Sequence, residues 1–266
     1  MIKKFNIFSN NYDISEKVEK RLIDEFKIHG YEATEEFSTD ADYNIVIGGD
    51  GTFIRACHES NFSSIPFVGI NTGHLGFYQE VPANNVEMLV ERIINEDYQV
   101  HDIKLIDCKV NTETNSYQFL SVNEIVLKAK YTSIIHFNMY VNDILLQSFA
   151  GDGVIFSTPS GSTAYNLSAG GSVLYQSLDG FQITPMAPIR SSLFRSLDKA
   201  LVVPSSTQIK LITRKREENI SSLGVDGMLQ EFEDINYINI TMSDQTIKKL
   251  VFDENWYWKN IKEKFI

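Results

Sequence analysis

The sequence predicts an α/β domain built on a parallel sheet, followed by a β-rich, sandwich-like domain. Three observations predict this order. Over the first hundred residues, short apolar runs alternate with segments whose apolar residues recur at helical spacing. One of those runs, "YNIVIG" at 43–48, is close to uniformly apolar, as in a strand covered on both faces. Beyond residue 98 the apolar residues recur mainly at every second position, the pattern of antiparallel strands with one buried face.

Each element of the first domain has its own signal. "KKFNIFS" (3–9) reads as a strand. Asp13 and Glu16 have the spacing of a capping box, and Val18, Leu22 and Phe26 follow on one helical face until Gly30 stops the helix. The 43–48 strand leads into a short helix from about Thr52, and "IPFVGI" (65–70) is a third strand. "NNVEMLVERIINED" (84–97) is a second long helix with Val86, Leu89, Val90, Ile93 and Ile94 together. Strand and helix in alternation make a Rossmann-like parallel sheet with helices against it. In the second domain, "HDIKLIDCKV", "YQFLSVNEIVLKA", "IIHFNMYVND", "TQIKLITRK" and "INYINITMS" read as strands. The expected domains are 1–98, 99–250 and a final helix within 251–266, "ENWYWKNIKEKF", which is expected to pack on the first domain through Trp256 and Trp258.

Composition removes several function classes. The 266 residues include 24 Lys and Arg against 35 Asp and Glu, a formal net charge of −11. An acidic chain without a basic block is a poor partner for nucleic acid or an anionic membrane. Phosphate binding then falls to backbone N–H groups, a few placed cations or a metal ion. Cys57 and Cys108 form no paired motif, there is no signal-peptide pattern, and no apolar run approaches a membrane span. A cytoplasmic protein is expected.

Three stretches carry chemistry. Gly48-Gly49-Asp50-Gly51-Thr52 stands at the carboxyl end of a strand just before a helix, where open α/β sheets gather ligands. Successive glycines allow backbone N–H groups to line a phosphate-sized concavity. The loop is neither G-x-G-x-x-G nor a Walker A motif, so it lacks the lysine that clamps a nucleotide phosphate. Asp50 therefore suits a proton acceptor or a Mg²⁺ contact, although an aspartate here also suits a plain helix cap. The second stretch, "AGDGVIFSTPSGSTAYNLSAGG" (150–171), crowds glycines with hydroxyl side chains, and Tyr165 offers a flat face for stacking. Such a run suits either a loop wrapping a polar ligand or an ordinary turn-rich surface loop. The third is "SVNEIVL" (121–127), where Asn123 and Glu124 interrupt an apolar strand, as at an exposed edge or turn. Arg55, one turn past the glycine loop, is a candidate phosphate contact or a solvent-facing helix residue. His58 and His74 have no second ligand at zinc-like spacing.

Together, "GGDGT", "NE" and "GDGVIFSTPSGSTAYNLSAGG", with "GINTGHLGFY" at 69–78, resemble the NAD kinase family over nearly the whole chain. The resemblance implies a kinase that phosphorylates the 2′-hydroxyl of the adenosine ribose of NAD to give NADP. Asp50 is implied as the catalytic carboxylate, with Gly51 beside it. Asn123 is implied at the adenine and Glu124 at the ribose. Ser160, Thr163, Ala164, Tyr165, Asn166, Leu167 and Ser168 are implied in the dinucleotide pocket, with Ala187 lining it and Phe77 and Tyr78 by the adenine. Asp152 is implied at the nicotinamide end, from a neighbouring subunit. The implied donor is ATP with Mg²⁺, or polyphosphate in some members, and the implied assembly is a homo-oligomer, often a tetramer. The chain departs from many relatives at Ala150, where a basic residue is common, and at Met228, where glutamine is common. Arg190 and Arg195 stand where some relatives have a different basic pattern. A GGDG lipid or sugar-phosphate kinase and a non-catalytic dinucleotide-binding regulator remain the two rival readings.

Overall fold

The structure, a computed structural model, describes residues 3–34, 36–73, 76–129, 133–189, 196–213, 221–232 and 234–266. His74, Arg190 and Arg195 lie outside the described residues. The chain divides into two compact units, 1–103 with 246–266, and 104–245.

The first unit opens β1 (Lys3–Ser9), α1 (Asp13–Ile28), β2 (Tyr31–Ala33), β3 (Tyr43–Gly48), α2 (Asp50–Glu59), β4 (Phe67–Asn71), β5 (Val81–Pro82) and α3 (Val86–Ile94). Its sheet runs β2-β1-β3-β4 with every pair parallel. The order reverses between β1 and β3, and in such sheets the crevice for ligands opens at the carboxyl ends there. Ser9 lies opposite Ile47 and Gly48 opposite Asn71, so these strands end close together at one edge.

The near-uniform apolarity of β3 has a simple cause: all six of its residues are buried. Ile45 and Ile47 join Phe5, Val68 and Ile70 in a core closed by Val18, Leu22 and Phe26 of α1 and Leu89, Val90 and Ile93 of α3. Phe53 of α2 packs against Phe67 and stacks on Tyr78 at 4.6 Å. An Arg21–Glu87 ion pair ties α1 to α3. The start of α1 corrects the sequence expectation. Tyr12, not Asp13, occupies the cap position, and no side chain caps the helix. Asp13 and Glu16 lie in the first turn, where their charges complement the exposed N–H groups without forming a capping box.

The chain enters the second unit within β6 (Gln99–Thr112) and leaves it within β17 (Ile235–Val251). Between them come β7 (Ser116–Ser121), β8 (Glu124–Ala129), β9 (Ile135–Val141), β10 (Ile144–Gly151) and β11 (Gly153–Ser157). A 3₁₀ turn (Ser160–Thr163) and α4 (Tyr165–Ser168) precede β12 (Gly180–Met186), β13 (Leu201–Pro204), β14 (Ile209–Thr213), β15 (Ser221–Val225) and β16 (Met228–Phe232). One antiparallel layer runs β10-β9-β14-β17, the other β13-β12-β11-β8-β15-β16. Phe137 and Phe149 of the first layer share a core with Leu127, Phe156 and Phe181 of the second. Alternating burial supplies this face in strands such as β14, whereas β11, the first four residues of β8 and the first five of β12 are buried on both faces.

The last helix, α5 (Trp256–Phe265), belongs to the first unit. Tyr257 and Asn260 are its buried residues, whereas Trp258 is exposed, so Tyr257 takes the anchoring place that the sequence suggested for Trp258. Cys57 and Cys108 are buried. Among the described residues no helix is long and apolar enough to cross a membrane.

One buried ion pair holds the segment that follows β4. Lys249 Nζ lies 2.7 Å from Glu80 Oε1, with both side chains close to 5 % exposed. The other oxygen, Glu80 Oε2, accepts the Phe252 amide at 2.9 Å. Removing one partner strands the other charge away from water. Lys249→Ala is therefore expected to lower unfolding free energy by about 3–5 kcal/mol, read as a fall in the urea midpoint with unchanged m-value. Replacing both partners by Met and Leu is expected to recover most of that loss.

Candidate active site

Each unit carries one cluster of the residues singled out by the sequence. In the first, β3 ends at Gly48 and α2 begins at Asp50, two residues earlier than its sequence suggests. Gly49 occupies the cap position in extended conformation, with no side-chain cap. Asp50 therefore does not cap its helix. Its carboxylate turns to the segment after β4, where Oδ2 accepts the Phe77 amide at 3.1 Å and Oδ1 accepts the Tyr78 amide at 3.1 Å. Two consecutive amides, one per oxygen, fix the plane of the carboxylate and leave it half-buried.

The neighbours of Asp50 leave no slack. A Cβ on Gly76 would lie 2.4 Å from Asp50 Oδ1 and 2.5 Å from Gln79 Oε1, so any side chain there would displace the Asp50 carboxylate from its two amides or push Gln79 aside. Phe77 and Tyr78 are buried, Tyr78 against Phe53 and Phe77 beside Tyr257 and Phe265. Their visible task is to present amides to Asp50. Asn260 of α5, fully buried, donates to the Gly76 carbonyl at 2.8 Å. Lys264, one turn further on, places Nζ 3.5 Å from Asp50 Oδ2 and 4.6 Å from the centre of the Phe77 ring. Gln79 is wholly buried, and neither polar atom of its side chain has a hydrogen-bond partner. Arg55 points to the Ser9 carbonyl at 2.8 Å and pairs with Glu59, at the carboxyl end of β1.

The second cluster is organised by a residue that motif reading passed over. Asp226 and Gly227 are the central pair of the β15–β16 hairpin, both at positive φ (49° and 84°), as a two-residue type I′ turn requires. Asp226 Oδ1 accepts the amides of Asn123 (2.7 Å) and Glu124 (3.2 Å) and the Ser121 hydroxyl (2.6 Å), and Oδ2 accepts the Val122 amide (2.8 Å). One carboxylate thus shapes the turn that presents Asn123 and Glu124. Asp-Gly between alternating apolar residues is itself a hairpin signal, so this part was available in the sequence.

Asn123 and Glu124 are buried and not at an exposed edge. Glu124 Oε2 has no hydrogen-bond partner. Burial, and then the nearby charge of Asp226, push the Glu124 carboxyl up to about 8. The hydroxyl-rich loop lies directly on this turn. Thr158 Oγ1 donates to the Val122 carbonyl at 2.6 Å and accepts the Gly161 amide at 2.9 Å. A Cβ on Gly161 would lie 2.1 Å from the Asn123 carbonyl oxygen, which makes glycine obligatory.

The other residues of the loop divide by exposure. Ser160 and Asn166 are buried, Thr163, Ala164 and Leu167 half-buried, and Tyr165 and Ser168 exposed. Asn166 spends its amide inside the loop, donating to Ser162 and Ser172 carbonyls and accepting from Thr184 Oγ1 at 2.6 Å. Its side chain is a strut of the loop. Tyr165 receives a hydrogen bond from Lys128, whose ammonium also lies over the ring. Asp152 and Ala187 are exposed, and Ala187 holds φ at 41°, an uncommon conformation for alanine. Ala150 is buried and Met228 exposed. A cleft of about 320 Å³ lined by Asp107, Lys109, Asp143, Gln208, Lys210 and Asn239 contains none of these residues. Among the described residues no three His, Cys, Asp or Glu side chains gather as metal ligands.

Two outcomes follow from the second cluster. Asp226→Ala removes four accepted hydrogen bonds and is expected to cost about 2–4 kcal/mol of stability, with faster hydrogen exchange at the amides of 122–124. For Glu124, the unfolded carboxyl ionises near 4.5 while the folded one keeps its proton to about 8. Stability should then fall as pH rises through that window and level off above it. Glu124→Gln should become more stable relative to wild type over the same range, by at most about 1.4 kcal/mol per pH unit, measured by urea unfolding at a series of pH values.

Comparison with known proteins meets this geometry from outside. Residues 7–98 match the model of the ATP-NAD kinase N-terminal domain, and 122–251 that of the ATP-NAD kinase C-terminal domain. An NAD kinase of Finegoldia magna is 47% identical over 270 residues, covering 99% of this chain and 98% of its own. An NAD kinase of Clostridium kluyveri is 35% identical over 86% of this chain and 79% of its own. Among solved structures, yeast NADH kinase complexed with NADH superposes with a TM-score of 0.87 at 20% identity, over 99% of this chain and 87% of that one. An NAD kinase from Archaeoglobus fulgidus in complex with ATP does so with a TM-score of 0.79 at 23% identity, over 97% and 98%. These two share its fold. With both domain models matched in order and a near full-length relative at 47% identity, the chain belongs to the NAD kinase family.

Proposed function

We propose that this protein transfers the terminal phosphoryl group of ATP to the 2′-hydroxyl of the adenosine ribose of NAD, giving NADP. The observation that carries the reading is the Asp50 carboxylate, held at the carboxyl edge of the parallel sheet by two backbone amides and still partly open to solvent. A carboxylate is too weak a base to ionise a free alcohol beforehand. It accepts the proton as the new bond to phosphorus forms. The bond between the terminal phosphorus and the oxygen bridging to the β-phosphate breaks, and its electron pair stays on that oxygen and leaves with ADP. Exposed Gly51 and the free N–H groups that open α2 suit the phosphates.

In the second unit, Asn123 takes the adenine and Glu124 the ribose. The protonated Glu124 carboxyl has a hydrogen to donate to a ribose oxygen, and its unpartnered Oε2 can accept from a ribose hydroxyl. Thr163, Ala164, Tyr165, Leu167 and Ser168 line the dinucleotide pocket, with Ser160 and the strut Asn166 beneath them. Asp152 and Ala187 serve the nicotinamide side, Asp152 from a neighbouring copy. Phe77 and Tyr78 flank the adenine, while Arg55, turned to the Ser9 carbonyl and Glu59, takes the solvent-facing alternative rather than the phosphate contact. ATP enters as its magnesium complex. Because the described residues offer no acidic ligand set, no step is assigned to an ion held by the protein. Polyphosphate as an alternative donor, a homotetramer and a cytoplasmic role in NADP biosynthesis complete the reading.

The test mixes pure protein, NAD and Mg²⁺ with ATP or polyphosphate and detects NADP with an NADP-specific dehydrogenase. Product should appear with ATP. Asp50→Asn is expected to lower kcat by about 10²-fold or more, while calorimetry finds NAD affinity changed by no more than about threefold, the low end of one hydrogen bond's net worth. Near-normal turnover in that variant would remove Asp50 from proton transfer.

A further inference from the structure

The glycine loop lacks the lysine that other nucleotide-binding loops close on a phosphate, and Arg55 is turned to Ser9 and Glu59. We propose that Lys264 of α5 supplies that cation, contacting the phosphoryl group as it passes from ATP to the ribose hydroxyl. The proposal rests on the function given above.

Three observations carry it. Lys264 is the one cationic side chain that contacts Asp50 among the described residues, with Nζ 3.5 Å from Oδ2. Among the described residues its polar contacts are the ion pair at 3.5 Å and the face of the Phe77 ring at 4.6 Å, both longer than a normal charge-assisted hydrogen bond, and its side chain is 27% exposed. Its position is set by packing. Asn260, one turn earlier on α5, is fully buried and fastened to Gly76, and Phe265 and Tyr257 flank the ring of Phe77. An ammonium beside the proton acceptor, held only by these long contacts, fits an anion that arrives with the substrate.

The chemistry requires such a charge. A terminal phosphoryl group brought to Asp50 places like charges side by side, and one cation between them offsets the repulsion. In the step itself, the ribose oxygen bonds to phosphorus and its proton passes to Asp50. The bridging oxygen keeps the electron pair of the broken bond and leaves as ADP. Lys264 stays protonated throughout, and moves its contact from Asp50 Oδ2 to a phosphoryl oxygen, leaving Oδ2 open to receive the proton.

The experiment compares wild type with Lys264→Met and Lys264→Arg. Removing one preorganised donor to a transferring group costs about 10²- to 10³-fold in kcat, so Lys264→Met should fall by that order, with Lys264→Arg recovering at least part. A binding readout separates this from a structural ion pair. With NAD present, wild type should bind a non-hydrolysable ATP analogue more tightly than ADP, and Lys264→Met should lose that preference while keeping NAD affinity and melting temperature. A wild type that binds analogue and ADP equally, or a Lys264→Met protein that keeps the preference, overturns the proposal. If wild type makes no NADP, the functional reading fails on its own, and the analogue preference still decides the role of Lys264.

Discussion

The Asp50 carboxylate accepts the amides of Phe77 and Tyr78, and the arrangement of the first unit follows from that clamp. A side chain held through both oxygens has little freedom left, so its direction is set by backbone on either side. One side is the strand-to-helix turn after β3. The other is the segment after β4, which is itself fixed by Gly76 at closest approach, by the Tyr78–Phe53 stack and by the buried Glu80–Lys249 pair. Precise aim of a reacting group requires exactly such locked supports, and here most of them are remote from the reacting atoms in sequence.

The second unit uses the same device to a different end. Asp226, like Asp50, is followed by glycine and gathers neighbouring amides. Asp226 receives four hydrogen bonds and spends itself on shaping the Asn123–Glu124 turn. Asp50 receives two from the backbone and keeps an open side with a cation at its edge. The donors gathered by Asp226 mark an architectural acid, whereas Asp50 keeps the open side that its proposed role as proton acceptor needs. Glu124 is a third case, a carboxyl whose burial keeps it protonated near neutral pH and gives it a hydrogen to donate.

The sequence made the fold class legible because hydrophobic spacing reports which faces are covered. Tyr43–Gly48 is apolar because both sides of the sheet are covered there, and β14 alternates because one of its faces meets the shared core, whereas β11 is covered on both. The glycine loop, the Asn-Glu pair and the hydroxyl-rich loop were visible as local composition. Local composition cannot report partners far along the chain. Nothing near Asp50 announces Asn260 or Lys264, and nothing near Asn123 announces Asp226, 103 positions away. The capping-box spacing at Asp13 misled because the chain begins its helix one residue too early to use it, and Trp258 misled because a large apolar ring signals burial without saying which face of a helix is buried.

The hydrogen bond from Asn260 to Gly76 spans 184 positions, with the whole second unit inserted between its ends. Closing so long a loop costs chain entropy that the packing of α5 must offset. A substitution in α5 therefore reaches the Asp50 clamp through Gly76, far from it in sequence but in contact in the fold.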